Sequence, residues 1–139
     1  MVNNTNFNSQ IIYLENGDYL ETKIQSEQTK LPLSEISLFT RSTKQITKTK
    51  TSTYKSASGK SMWSVSITGT FTYNGSSAKC VSCSHSSKTY TTNWTIKSIS
   101  SSKKDNSATA NVVAVHTVNG SNSIKRYVTI TCSKNGTIS

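Results

Sequence analysis

The most regular stretch of the chain is Met62-Trp63-Ser64-Val65-Ser66-Ile67-Thr68-Gly69-Thr70-Phe71-Thr72-Tyr73-Asn74. Trp63, Val65, Ile67, Phe71 and Tyr73 share one parity, broken only by Gly69. The other parity is Ser or Thr from position 64 to 72. Side chains alternate between faces along a strand, so this pattern predicts one long strand with an apolar face and a hydroxyl face. Asn74-Gly75 then predicts a turn.

The same reading extends along the chain. Ile11-Ile12-Tyr13-Leu14 and Tyr19-Leu20-Glu21-Thr22-Lys23-Ile24 flank Asn16-Gly17 and predict a two-residue hairpin. Residues 25–35 are polar and hold Pro32, which predicts a loop. Residues 44–54 alternate Lys with Thr and predict an edge or highly exposed strand. Ala57-Ser58-Gly59-Lys60 turns into the 61–74 strand. Further strands are predicted around 77–85 and 93–99, followed by a polar loop over 101–106. Residues 107–118 carry apolar side chains on both parities, the mark of a central strand. Asn119-Gly120-Ser121-Asn122 turns the chain into the last strand, 123–132.

About eight strands at regular spacing predict an all-β, mainly antiparallel β-sandwich, Ig-like in architecture but not necessarily in topology. The expected core is Trp63, Val65, Ile67, Phe71, Trp94, Ile96, Val112, Val128 and Ile130. Residues 1–9 are almost all polar and are expected to be a disordered arm, leaving 10–139 as a single domain.

Composition sharpens this picture. Ser and Thr together account for 47 of 139 residues, and charged residues for only 16%. Hydroxyls therefore replace charges on the wet faces. The net charge of +10 is uneven. Residues 1–35 hold five acids and two bases (−3), whereas 36–139 hold fourteen bases and one acid, Asp105 (+13). Such a field attracts anionic partners. The candidate polyanion-binding residues are Lys44, Lys48, Lys50, Lys55, Lys97, Lys103 and Lys104. The competing reading is that these lysines only keep strand edges from pairing with other chains. No apolar run reaches the roughly 18 residues of a membrane span. No basic-then-apolar leader precedes the strands, so the chain is either cytosolic or a mature form whose signal peptide has been removed.

Three cysteines, Cys80, Cys83 and Cys132, cannot all pair within one chain. Cys132 shares parity with Ile124, Val128 and Ile130, and Cys80 with Ala78. This favours a Cys80–Cys132 bridge and leaves Cys83, on the opposite parity, as the spare thiol. A Cys83–Cys132 bridge remains open. The run Cys80-x-x-Cys83-x-His85 has zinc-ligand types, but it reads as strand rather than turn and lacks a second close ligand pair, so no metal site is expected. His85 and His116 have only Asp105 as an acid after residue 35, so no catalytic residues are assigned and the protein is not expected to be an enzyme. No cofactor motif is present. Nucleic-acid binding is disfavoured, because Trp63 lies on the apolar parity and no phosphate loop or RNA-binding motif occurs. The order Cys80…Trp94…Cys132 follows immunoglobulin domains, but Ile130 stands where their corner tyrosine belongs.

Taken together, Leu14-Glu15-Asn16-Gly17-Asp18-Tyr19-Leu20-Glu21-Thr22, Trp63-Ser64-Val65-Ser66, Gly69 to Gly75, Cys80, Trp94, Ser107-Ala108-Thr109-Ala110 and Val128 to Cys132 with Gly136 resemble a family known as a domain of unknown function. Its members are small, mostly exported proteins of Gram-positive bacteria. The resemblance covers about residues 10–139. It implies export and a single Cys80–Cys132 bridge, and it brings no activity or site residues. The extra Cys83 and the missing leader depart from it. The expectation is thus a secreted or cell-surface, non-enzymatic binding module. Its basic surface would contact an anionic cell-wall polymer, a glycan or an extracellular protein. A secreted effector or toxin-like protein is the alternative.

Overall fold

A computed structural model describes residues 9–14, 17–26, 43–117 and 122–139. It contains eight strands: β1 (Ser9–Tyr13), β2 (Tyr19–Ser26), β3 (Lys44–Lys55), β4 (Ser61–Tyr73), β5 (Ala78–Thr89), β6 (Trp94–Lys104), β7 (Ser107–His116) and β8 (Asn122–Thr131). They form a five-stranded sheet in the order β1-β2-β3-β4-β5 and a three-stranded sheet in the order β6-β7-β8, with every pairing antiparallel. The all-β sandwich is therefore as the alternation predicts. Each sheet is a simple meander of consecutive strands, so the crossed strand order of immunoglobulin domains is absent. Among the described residues, no helix is long and apolar enough to cross a membrane.

The odd row of β4 carries the core. Trp63, Val65, Ile67 and Phe71 are all at most 1% exposed. Sheet two answers with Ala108, Ala110, Val112 and Ala114 of β7 and Val128 and Ile130 of β8. The small β7 alanines leave space for rings. Tyr54 stacks on Trp63, its cross-strand partner, with centroids 5.6 Å apart. Trp94 closes the cluster at 5.1 Å from Tyr54 and 6.1 Å from Trp63. Offset and tilted rings at such distances add to the apolar burial. Of the expected core, only Ile96 is left half-buried.

Gly69 is buried where the β4 parity lacks a side chain, because Phe71 folds across it. A Cβ there would meet the Phe71 ring at 2.7 Å and Ile130 at 3.3 Å. Gly69→Ala is expected to cost about 1–3 kcal/mol through overpacking, read as a lower urea midpoint at unchanged slope. An unshifted midpoint would show that the ring has room to move.

The opposite row of β4 builds a hydroxyl face. Thr47 meets Thr70 at 2.9 Å, Thr49 meets Thr68 at 2.7 Å, and Thr51 meets Ser66 at 2.7 Å. The register continues these three rungs onto Ser82, Ser84 and Ser86 of β5.

Three expectations need correction. First, β3 is not an edge strand; it lies between β2 and β4. Its threonines face outward, and Lys48 and Lys50 fall on the core-facing parity of Ser52 and Tyr54. Second, residues 101–104 continue β6, and only Asp105-Asn106 turn, with Asp105 at φ 53. A short polar side chain tolerates that left-handed geometry. Third, a register shift between Thr70 and Phe71 leaves Val81 without a partner on β4. This bulge returns Cys83 to the face of Cys80, where it packs on the core. The C-terminal tail folds back onto the end of β8. Ser139 exchanges both backbone hydrogen bonds with Thr131, and Ile138 is buried.

The Asn74-Gly75 turn forms as predicted. Asn74 Oδ1 accepts from the N–H groups of Ser76 and Ser77, both at 2.9 Å, and Gly75 adopts φ 88. The first hairpin closes with Leu14 N–H on Asp18 O at 2.8 Å. Asn16, most of the 25–35 loop, the Asn119-Gly120 turn and most of the N-terminal arm lie outside the described residues.

Candidate functional site

The two sheets differ in width, and that difference creates a site. The first sheet carries β1 and β2 beyond the edge of the second, where β8 is the last strand. The inward row of this overhang is Gln10 and Ile12 on β1, Leu14 after it, and Leu20 and Thr22 on β2. Ile12 remains 54% exposed. The β8 side supplies Lys125, Arg126, Tyr127, Val128 and Thr129, and β3 supplies Lys50 at the back. The space between them is an open cleft of about 490 Å³. Ligand clefts generally span about 300–1,000 Å³.

Among the described residues, three cations and no carboxylate line this cleft. Lys50 projects between the sheets, and its Nζ donates to the backbone oxygen of Thr129 at 2.9 Å. Burial disfavours its charged form and lowers its pKa from the ordinary lysine value. Arg126 lies on the parity of Val128 and Ile130, opposite Val112 of β7. Its guanidinium donates to Lys125 O at 3.2 Å, while its Nε is buried and makes no hydrogen bond. Tyr127 stands 71% exposed at the rim.

The seven lysines singled out from sequence do not share one face. Lys44 is exposed at the start of β3, opposite Tyr73, and Lys48 lies opposite Gly69. Lys50 enters the cleft. Lys55 lies on the outer face at the other end of β3, 2.7 Å from Glu21. That hydrogen-bonded pairing lowers the Glu21 pKa and raises that of Lys55. Lys97, Lys103 and Lys104 are exposed on β6 of the other sheet. Arg126, Lys125 and Tyr127 were not singled out from sequence. The available signal was a cation on a core-facing parity, which Arg126 shares with Lys50.

The cysteines occupy a second location. Cys80 of β5 and Cys132 after β8 are buried at 2% and 0% exposure. Both brace the β6–β7 turn: Cys80 N–H donates to Asp105 O at 2.7 Å and Cys132 N–H to Asn106 O at 3.0 Å. Asn106 Nδ2 returns a hydrogen bond to Cys132 O at 2.7 Å. The expected Cys80–Cys132 bridge is not formed in this structure, where all three cysteines are thiols. The Cys80 thiol donates to Ser82 O and the Cys132 thiol to Ser133 O, each at 3.3 Å. Burial pushes both thiol pKa values up, so they stay protonated at neutral pH.

Among the described residues, no group of three or more His, Cys, Asp or Glu is placed to hold a metal ion. His85 Nδ1 lies 2.7 Å from Ser101 Oγ on the surface. His116 stacks on Trp94 at 4.7 Å. Asp105 sits at the opposite end of β7 from His116.

Fold and cleft together define a two-sheet antiparallel β domain with an open, cation-lined groove on its overhang. Compared with known protein families, curated proteins and solved structures, the chain matches none of them.

Proposed function

We propose that this protein is a non-enzymatic, exported binding module whose basic surface contacts an anionic polymer or the acidic surface of another protein. The supporting observation is the charge balance. After residue 35 fourteen bases face a single acid, Asp105. The acids before residue 35 are too few to offset them, and two already have partners. Glu21 pairs with Lys55 and Lys23, and Asp18 accepts from Tyr54 Oη and Ala57 N–H. The remaining positive charge is balanced by ions or partners from outside. Exposed lysines on both sheets, such as Lys44, Lys97, Lys103 and Lys104, favour a long polymer over a point ligand, since they are spread along the domain. Export follows the family resemblance in the sequence.

Binding to teichoic acid and heparin is expected at low salt, weakening steeply and log-linearly as salt rises. DNA is the comparison polymer. Preference for the cell-wall polymer or glycan over DNA at matched ionic strength supports an extracellular role. Failure to retain any of the three at low salt would overturn the reading.

A further inference from the structure

We infer that the cleft between the β1–β2 overhang and β8 is a binding site for a small amphipathic anion, an acyl or comparable apolar chain ending in a carboxylate or phosphate. This goes beyond the polyanion reading and does not rest on it, since Lys50 is the only residue common to both.

Three observations converge. The floor is apolar: Ile12 and Leu14 continue the inward-facing row of the buried Leu20, and Ile12 at its outer end remains 54% exposed. That outer end leaves apolar surface in water that a ligand chain would cover. The far wall is cationic: Lys50, Lys125 and Arg126 line the same space, with no acid among its described residues. Finally, two of these cations are unusual in placement. Lys50 and Arg126 both stand on the core-facing parity of their strands, Lys50 has lost part of its hydration, and Arg126 Nε is buried without an acceptor. A buried donor left unpaired costs free energy that an anionic oxygen would recover.

The cleft thus offers an apolar surface at one side and charge-assisted donors at the other. Its size suits one chain or one ring system rather than a polymer. The headgroup chemistry is shared by free amphiphiles and by membrane lipids. The experiment therefore includes both.

Full-length protein is titrated with dodecanoate below its aggregation limit, with dodecanol as the uncharged partner, and with vesicles of phosphatidylglycerol in phosphatidylcholine. Calorimetry gives stoichiometry, and amide chemical shifts locate the site. Dodecanoate is expected to bind once per chain, shifting amides of β1, β2 and 125–129, with dodecanol about tenfold or more weaker. Lys50→Gln and Arg126→Gln are each expected to weaken dodecanoate about tenfold, the effect of one charge-assisted hydrogen bond. Ile12→Ser, at an exposed position, is expected to weaken both ligands while leaving thermal stability and heparin binding unchanged. Vesicle binding that survives in all three variants while free dodecanoate fails to bind would overturn the cleft as the site. So would equal affinity for dodecanoate and dodecanol, or shifts confined to other strands. Loss of heparin binding with dodecanoate binding intact would overturn the polyanion reading and leave this one standing.

Discussion

Trp63→Ala is expected to lower the unfolding free energy by about 3–5 kcal/mol, the range for deleting a buried large aromatic side chain. Trp63 is fully buried and touches both sheets' aromatics, stacking on Tyr54 and tilting against Trp94. Domains of this size hold about 5–15 kcal/mol in total, so the variant should be close to unfolding at physiological temperature. Removing the indole does more than delete area. Tyr54 and Trp94 each lose the ring they pack against, and the β7 alanines opposite are too small to collapse into the gap. Trp63→Phe is the control. It keeps a ring on Tyr54 and removes an indole N–H that is buried without a hydrogen-bond partner, so its cost should be well below that of alanine. Urea unfolding followed by circular dichroism measures both. An alanine variant within about 1 kcal/mol of the parent would mean that the aromatic cluster does not hold the sheets together.

The second large effect is oxidative. We expect Cys80 and Cys132 to form a disulfide under oxidising conditions, raising stability by about 4 kcal/mol by the loop-entropy relation. The closed loop runs from residue 80 to 132, 53 residues inclusive. Both cysteines are buried in the same core and hydrogen-bond to adjacent carbonyls of one turn, so the bond would join parts already held together. Alkylation under denaturing conditions should label Cys83 alone in oxidised protein and all three cysteines after reduction. A melting temperature that does not change with redox state, or labelling of Cys80, would refute the pairing. Because the bulge at Val81 turns Cys83 toward the face of Cys80, the Cys80→Ser variant is a necessary comparison. A bridge that reforms through Cys83 in that variant would show how much freedom this corner has.

The sandwich was legible because one parity decides a strand's burial, and β4 and β7 state theirs without ambiguity. The outcome at β3 shows where that logic stops. Alternating Lys and Thr predicts exposure, yet the strand is interior to its sheet. Its outer row is threonine, and Lys48 and Lys50 lie on the inner row, Lys50 at the edge of the overhang where it reaches β8, an arrangement that depends on relative sheet width. Sheet width is a property of two sheets at once, and no local pattern encodes it. The cleft was hidden for the same reason, although Lys50 and Arg126 on inward parities were its trace in the sequence. Cys83 was misplaced because one extra residue at Val81 reverses every later side chain on the strand, and a bulge of this kind has no strong sequence mark. The Ser/Lys run at 101–104 reads as a loop, because polar residues suit both loops and exposed edge strands.

The three hydroxyl rungs on the outer face of the first sheet have a bearing on solubility. Thr47–Thr70, Thr49–Thr68 and Thr51–Ser66 contain no ionisable group. Their hydration is therefore indifferent to acid, base and added electrolyte, unlike that of the lysines, whose mutual repulsion fades as salt screens it. A protein built in this way keeps one wettable side in brine, in acid or when its positive charges are fully occupied by a polymer. Saturating the basic surface need not precipitate it.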